Sequence, residues 1–237
     1  MVTEISIAFV CLLGSFATFF SGFGLGTILL PVFSIYFSVE LAILATAIVH
    51  FANNLFKLSI MSRHIDIRLF KQFGITALIG ALLGANLLTL IGKEGTLYES
   101  PFLEGKEVSA ISFLIGILMV VFVIFEWKKI KFPGSKSPVF LPMGGLISGF
   151  FGGLSGHQGA LRSAFLSKIE LDKHLFVATS ALISTLIDFS RITVYAGQTK
   201  WEELQWHYLI IGAIAAFSGS ILGKKYLQKV SYNFIRY

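Results

Sequence analysis

Several apolar runs in this chain exceed the roughly 18 residues needed to cross a bilayer, and that constrains the fold more than any motif does. Hydrophobic residues make up 55% of the 237 and charged residues only 14%, as expected of an integral membrane protein. The runs are continuous and lack the ten-residue alternation of barrel strands, which favours helices. No stretch between them is long enough for a soluble domain. Basic loops on one membrane side explain the formal charge of +6 without a nucleic-acid partner. The single cysteine, Cys11, lies in the first run, so the chain forms no intrachain disulfide and no thiolate metal cluster. The start, Met1-Val2-Thr3-Glu4, has no basic region, and no small-residue cleavage pattern follows, so the first helix reads as retained.

Glycines break two of the runs. Phe150-Phe151-Gly152-Gly153-Leu154-Ser155-Gly156-His157-Gln158-Gly159 sets polar side chains inside an apolar segment, and Phe19-Phe20-Ser21-Gly22-Phe23-Gly24-Leu25-Gly26 is its weaker echo. Each reads as a broken membrane helix lining a polar site. Around them the chain runs in a repeating order. In the first part a helix over 5–20 leads through the break to a half-helix over 27–37, then to a long helix over 39–61 and a basic loop over 63–71. A helix over 73–91 follows, carrying Gly80-Ala81-Leu82-Leu83-Gly84, a spacing that permits close packing. An acidic loop over 93–107, a spacer helix over 108–125 without a polar face, and a basic linker over 128–136 come next. From Val139 the order recurs: apolar run, break, short segment to 166, charged turn, long helix over 175–196, and a last helix carrying Gly219-Ser220-Ile221-Leu222-Gly223. This gives a first repeat over 1–92, a connecting region over 93–137 and a second repeat over 138–237.

Thirteen of the 19 Lys and Arg lie in the 63–71 loop, the 128–136 linker, the 168–173 turn and the segment from Lys224 on, whereas Lys93, Lys106 and Lys200 lie in the opposite loops. If the basic side is cytoplasmic, the N-terminus is outside and the C-terminus inside. The two halves then have opposite orientations. The expected fold class is therefore an all-α integral membrane protein, an inverted-topology repeat of about seven full spans plus two half-helices.

Lys57, Arg162 and Arg191 are the three basic residues left, and all lie in membrane segments, where each costs about 2.5–3.5 kcal/mol unless paired or wetted. A half-helix starting near mid-membrane points free N–H groups and the positive end of its dipole into the site, which suits an anion. Arg162, one turn into the second half-helix, adds a planar fork for carboxylate, sulfonate or sulfite oxygens, where the first half-helix has Leu29. Ser155, His157 and Gln158, with the backbone at Gly24 and Gly159, complete the expected substrate-binding set, and Lys57 and Arg191 supply positive potential. Snorkelling to the interface is the alternative for Arg162 and Lys57, and helix capping for His157. Asp188 and Arg191, three residues apart, are placed to form an ion pair. Asn53 and Asn54 are candidates for substrate contact or for hydrogen bonds between helices. His50 and Asp188 are the candidates for proton coupling. No His-x-x-x-His or Glu-x-x-His pair and no Gly-Lys-Ser/Thr loop occurs, so no metal, cofactor or nucleotide is expected, and no catalytic residue.

In the order Gly22-Phe23-Gly24-Leu25-Gly26 with Pro31, Ala45-Thr46, Gly80 to Gly84, Gly152 to Gly159, Ala178-Thr179 and Gly219 to Gly223, the chain resembles the sulfite exporter TauE/SafE family, also called TSUP, over nearly its whole length. That resemblance implies a multi-pass carrier in a bacterial cytoplasmic membrane, moving sulfite or an organosulfonate such as sulfoacetate, usually outward, by alternating access. Its partners would be a small anion, the bilayer and, if coupled, protons; a homo-oligomer stays open. Where the family pattern has a glycine triplet in each break and a proline after it, Leu25 interrupts the first triplet, His157-Gln158 replace glycines in the second, and Ala164 aligns with Pro31. Two other readings stand beside it. One is a passive channel or permease for another small organic anion. The other is a rhomboid-like serine protease, on Gly153-Leu154-Ser155-Gly156, for which neither His174 nor His207 sits in the required setting.

Overall fold

The computed structural model describes residues 1–21, 24–99, 107–128, 132, 137–166, 169, 172–197, 201–227 and 229. In chain order its helices are α1 (Val2–Ser21), α2 (Leu25–Tyr36), α3 (Val39–Met61), α4 (Ile67–Ile91), α5 (Ala110–Trp127), α6 (Phe140–Ser155), α7 (Gln158–Leu166), α8 (Lys173–Ala196) and α9 (Trp206–Leu227). Six of them, α1, α3, α4, α5, α8 and α9, are long and apolar enough to span a membrane. The fold is that of a helical, multi-pass membrane protein. The run expected as a seventh full span is α6, whose 16 residues rise only about 24 Å. It stops at Gly156, whose φ of +84° takes the left-handed turn that glycine adopts at no steric cost.

Local chemistry sets the other boundaries. Ser38, Ser109 and Asp172 cap α3, α5 and α8, each side chain accepting a backbone N–H of the first turn. Asp66 does the same for Leu69, at 2.9 Å, and so starts α4 at Ile67. Part of the expected 63–71 loop is therefore helix, with Arg68 and Lys71 on it. The acidic loop after α4 is closed by a short antiparallel pair, β1 (Thr96–Glu99) and β2 (Glu107–Ser109), where no strand was expected. The spacer helix α5 reaches Trp127, two residues beyond its expected end, and so brings Glu126 into the helix.

Two pairs of helices pack through glycine. Along α4 and α6, a Cβ on Gly80 or Gly84 would collide with the carbonyl oxygens of Leu146 and Phe150, and one on Gly149 or Gly153 with those of Ala77 and Ala81. Along α1 and α9, a Cβ on Gly219 would meet the Leu12 carbonyl and one on Gly223 the Phe19 ring. Backbones this close give dispersion contact that larger residues would forbid. Thus α1 packs on α9, near the other end of the chain, and α4 packs on α6. The long helices α3 and α8 cross between these pairs, and α2 buries Leu25, Leu29, Leu30 and Phe33 beside them.

Candidate functional site

Where the two broken segments meet, the backbones touch. A Cβ on Gly26 would lie 2.9 Å from the Gly156 oxygen, and one on Gly24 would lie 3.4 Å from the Gly159 nitrogen. Among the described residues the two breaks close on each other in this conformation, because Gly24, Gly26, Gly156 and Gly159 carry no side chains to hold them apart. Gly22 and Phe23 lie outside the described residues.

The polar space lies beside this contact, toward the face that carries the basic loops. It is a cavity of about 20 Å³, room for about one water. Its polar lining comes from four helices: Thr18 of α1, His50, Asn54 and Lys57 of α3, Arg162 of α7, and Ser180 and Ser184 of α8. Arg162 is only 3% exposed and Lys57 only 6%, so neither snorkels. Arg162 Nη1 donates to Ser184 Oγ at 2.7 Å, and Lys57 Nζ stands 5.4 Å above the Phe19 ring centroid. No carboxylate lines the cavity among the described residues. Two cations held in so small a space favour an anionic occupant.

Asp188 lies behind the cavity, fully buried, as the hub of a polar network. Its Oδ1 accepts from Arg191 Nε at 3.0 Å and Gln158 Nε2 at 3.3 Å, and the Arg191 Nη2 is 2.9 Å away. Its Oδ2 is 2.6 Å from His50 Nδ1 and accepts from Asn54 Nδ2 at 3.3 Å. The ion pair expected between Asp188 and Arg191 is thus formed, and the two residues singled out for proton coupling are in direct contact. A carboxylate taken this far from water needs such a shell of donors.

Not all the expected ligands converge on the cavity. Asn53 faces away from it: its Oδ1 accepts from Ser15 at 3.2 Å and from Ser220 at 2.8 Å, tying α1, α3 and α9 together. Adjacent positions on a helix point about 100° apart, which puts Asn54 on the site and Asn53 on the packing side. His157 stacks on Phe122 of α5, centroids 4.9 Å apart, with Nδ1 2.9 Å from Ser155 Oγ; that hydroxyl donates to the Phe151 carbonyl. The Arg191 guanidinium lies against Gly156. So Ser155, His157, Gln158, Arg191, Gly24 and Gly159 form a second group around the crossing of the breaks, apart from Arg162 and Lys57. In that group His157 Nε2, Gln158 Oε1 and Arg191 Nη1 are buried without a hydrogen-bond partner among the described residues. Among those residues no three His, Cys, Asp or Glu side chains gather as a metal site.

The family model described as sulfite exporter TauE/SafE matches residues 7–237. The chain belongs to the sulfite exporter TauE/SafE family. No curated protein and no solved structure matches it. Membership implies a membrane transporter of sulfite or a related anion, and the match to this family gives no support to a rhomboid protease. Within this TauE/SafE chain, sequence reasoning passed over Thr18, Ser180 and Ser184, which line the cavity, and Glu126, whose Oε1 accepts from Thr27 Oγ1 at 3.1 Å in the first turn of α2. Ser180, Ser184 and Asp188 recur every four residues on one face of α8, a polar stripe that could have been read beforehand.

Proposed function

We propose that the chain is a carrier that moves a small sulfur oxyanion or organosulfonate across the membrane by alternating access, with Arg162 and Lys57 as its anion ligands. The observation that carries this reading is the joint burial of two basic side chains in one cavity whose other polar lining is His50, Asn54 and the hydroxyls of Thr18, Ser180 and Ser184. A planar guanidinium and a point-like ammonium together suit a pyramidal or tetrahedral oxyanion. Ser184, Ser180, Thr18 and Asn54 add hydrogen bonds, and the cavity widens to take an anion larger than water. His157, Gln158 and Arg191 contact the anion later in its passage, when the breaks separate and their unpaired groups come free. The His50–Asp188 contact supports proton coupling, since a proton on either member changes the charge facing the cavity.

An inverted repeat is the architecture proposed for this carrier. The first helix of each half packs on the last helix of the other, α1 on α9 and α6 on α4, and a broken segment follows each first helix. With the basic face cytoplasmic, the cavity opens inward, the N-terminus lies outside and the C-terminus inside. Capture from the cytoplasm fits export.

Thermal unfolding of the detergent-purified protein with sulfite, sulfate, thiosulfate, sulfoacetate, taurine and acetate tests the site. A bound anion raises apparent stability by mass action, by about 2.7 kcal/mol at a hundredfold excess over Kd. One sulfur anion is expected to stabilise the protein, and Arg162→Ala to abolish the response. No response from any anion would sink the proposal. A passive channel would be indicated if proteoliposomes never accumulate sulfite against its gradient when a proton gradient is imposed. Normal transport by Ser155→Ala would remove the last argument for a serine nucleophile.

A further inference from the structure

A second cavity, of about 170 Å³, opens on the opposite face of the molecule, where the acidic loop lies. Glu40 and Ile43 of α3, Thr89 of α4, Lys93 and Tyr195 are among its lining residues. At its floor the Tyr195 hydroxyl donates to the Gly153 carbonyl, in the last turn of α6 just before the second break. Tyr195 is 5% exposed, so this bond is sheltered from water and joins the end of α8 to the broken helix.

The two cavities share the same two helices. On α8, Ser180 and Ser184 line the basic-face cavity, Asp188 and Arg191 follow on the same face, and Tyr195 reaches the acidic-face cavity. On α3, Ile43 lines the acidic-face cavity, Thr46 follows, and His50, Asn54 and Lys57 line the other. Between the cavities lie two buried polar atoms with no hydrogen-bond partner among the described residues, Thr46 Oγ1 and Arg191 Nη1. The Thr46 methyl reaches the space over Gly26, Gly26 adjoins Gly156, and Gly156 adjoins Arg191, so the two side chains flank the crossing of the breaks. Native interiors seldom leave such donors unmet, and a transient occupant between the cavities would meet them.

We propose that the acidic-face cavity is the other mouth of the anion path, and that Tyr195 is a positioning residue whose bond to Gly153 keeps this mouth shut while the basic-face cavity is accessible. The inference rests on the carrier reading above. Glu40 and Lys93 offset each other in charge, so this mouth gives an anion passage without the double positive trap of the basic side. Release of the Tyr195 bond frees the last turn of α6, lets Gly156 part from Gly26, and connects the cavity to Thr46 and Arg191.

The test uses a Cys11→Ala background in vesicles of known orientation. A charged, membrane-impermeant thiol reagent added at the acidic face is expected to modify Thr89→Cys readily and Thr46→Cys slowly. Adding Tyr195→Phe should speed the modification of Thr46→Cys about fivefold or more, the effect of one lost hydrogen bond. Equal Thr46→Cys rates with and without the tyrosine hydroxyl would overturn the proposal. Thr89→Trp provides an independent arm by filling the mouth. It should cut sulfite flux in proteoliposomes at least tenfold while the protein is still stabilised by the anion that stabilises the parent. Unchanged flux in Thr89→Trp overturns the second mouth and leaves the carrier standing. Absence of anion stabilisation in the parent chain overturns the carrier reading itself.

Discussion

The two glycine breaks begin alike and are used differently. The first leads into α2, whose Leu25, Leu29, Leu30 and Phe33 are buried in the main apolar core, and its first turn is tied to α5 by Thr27 and Glu126. The second leads into α7, whose Gln158 and Arg162 are buried among ions and hydroxyls, with Arg191 pressed against Gly156. One backbone device therefore serves as a packing joint in the first half and as a mount for charge in the second. Even the carboxylates follow suit: Glu126 sits near the N-terminal end of α2, where the helix dipole favours it, whereas Asp188 sits by the second break as the partner of a guanidinium. Lys57 is the first half's contribution of charge, and it comes from the long helix, not from the break.

The comparison can be broken by experiment, beginning at the charged side. Asp188→Ala leaves Arg191 and His50 buried with no counter-charge and should cost about 3–5 kcal/mol, seen as a collapse of the thermal midpoint or of expression. If the variant melts like the parent, the network is not what holds the second break. Leu29→Ala should cost about 2–5 kcal/mol through the cavity it leaves, yet keep full stabilisation by anion. Arg162→Ala, at the aligned position, should do the reverse, so loss of the anion response in Leu29→Ala would show that both breaks bind. Gly26→Ala puts a methyl against the Gly156 oxygen and should cost about 1–3 kcal/mol. Gly24→Ala meets Gly159 at ordinary contact distance and should cost less; a reversed order in unfolding assays would mean the breaks do not meet as described. Thr27→Val removes one hydrogen bond to Glu126 and should lower stability by about 0.5–1.5 kcal/mol without altering transport. A transport defect there would make α2 part of the chemistry.

Much of this was legible in the sequence for physical reasons. Charges inside apolar runs stand out, as Lys57, Arg162, Asp188 and Arg191 do, and the long apolar run over 39–61 matches the bounds of α3, whose start Ser38 caps. What escaped was direction. Asn53 and Asn54 differ only in which neighbour each faces, and that depends on how α3 is rotated against α8 and α9. His157 turns toward Phe122, and so away from Arg162, because Gly156 reverses the backbone just before it. Hydroxyls such as Ser184 and Tyr195 suit too many environments to be noticed alone. The glycines at 145, 149 and 153 have the same four-residue spacing as Gly80 and Gly84, and were legible as a packing face in the same way.

The joining of α1 to α9 has a consequence in time. Gly219 and Gly223 seat against α1, and Ser15 and Ser220 are 2.9 Å apart at the centre of that seam. A ribosome adding about 5–20 residues per second delivers α1 to the membrane on the order of ten seconds or more before α9 is made. For most of that interval Ser15 has only Asn53 of α3 to bond, and the face of α1 that receives Gly219 and Gly223 lacks its partner helix. Any chain that stops short of α9 carries an unfinished seam that quality control can read as a mark for degradation.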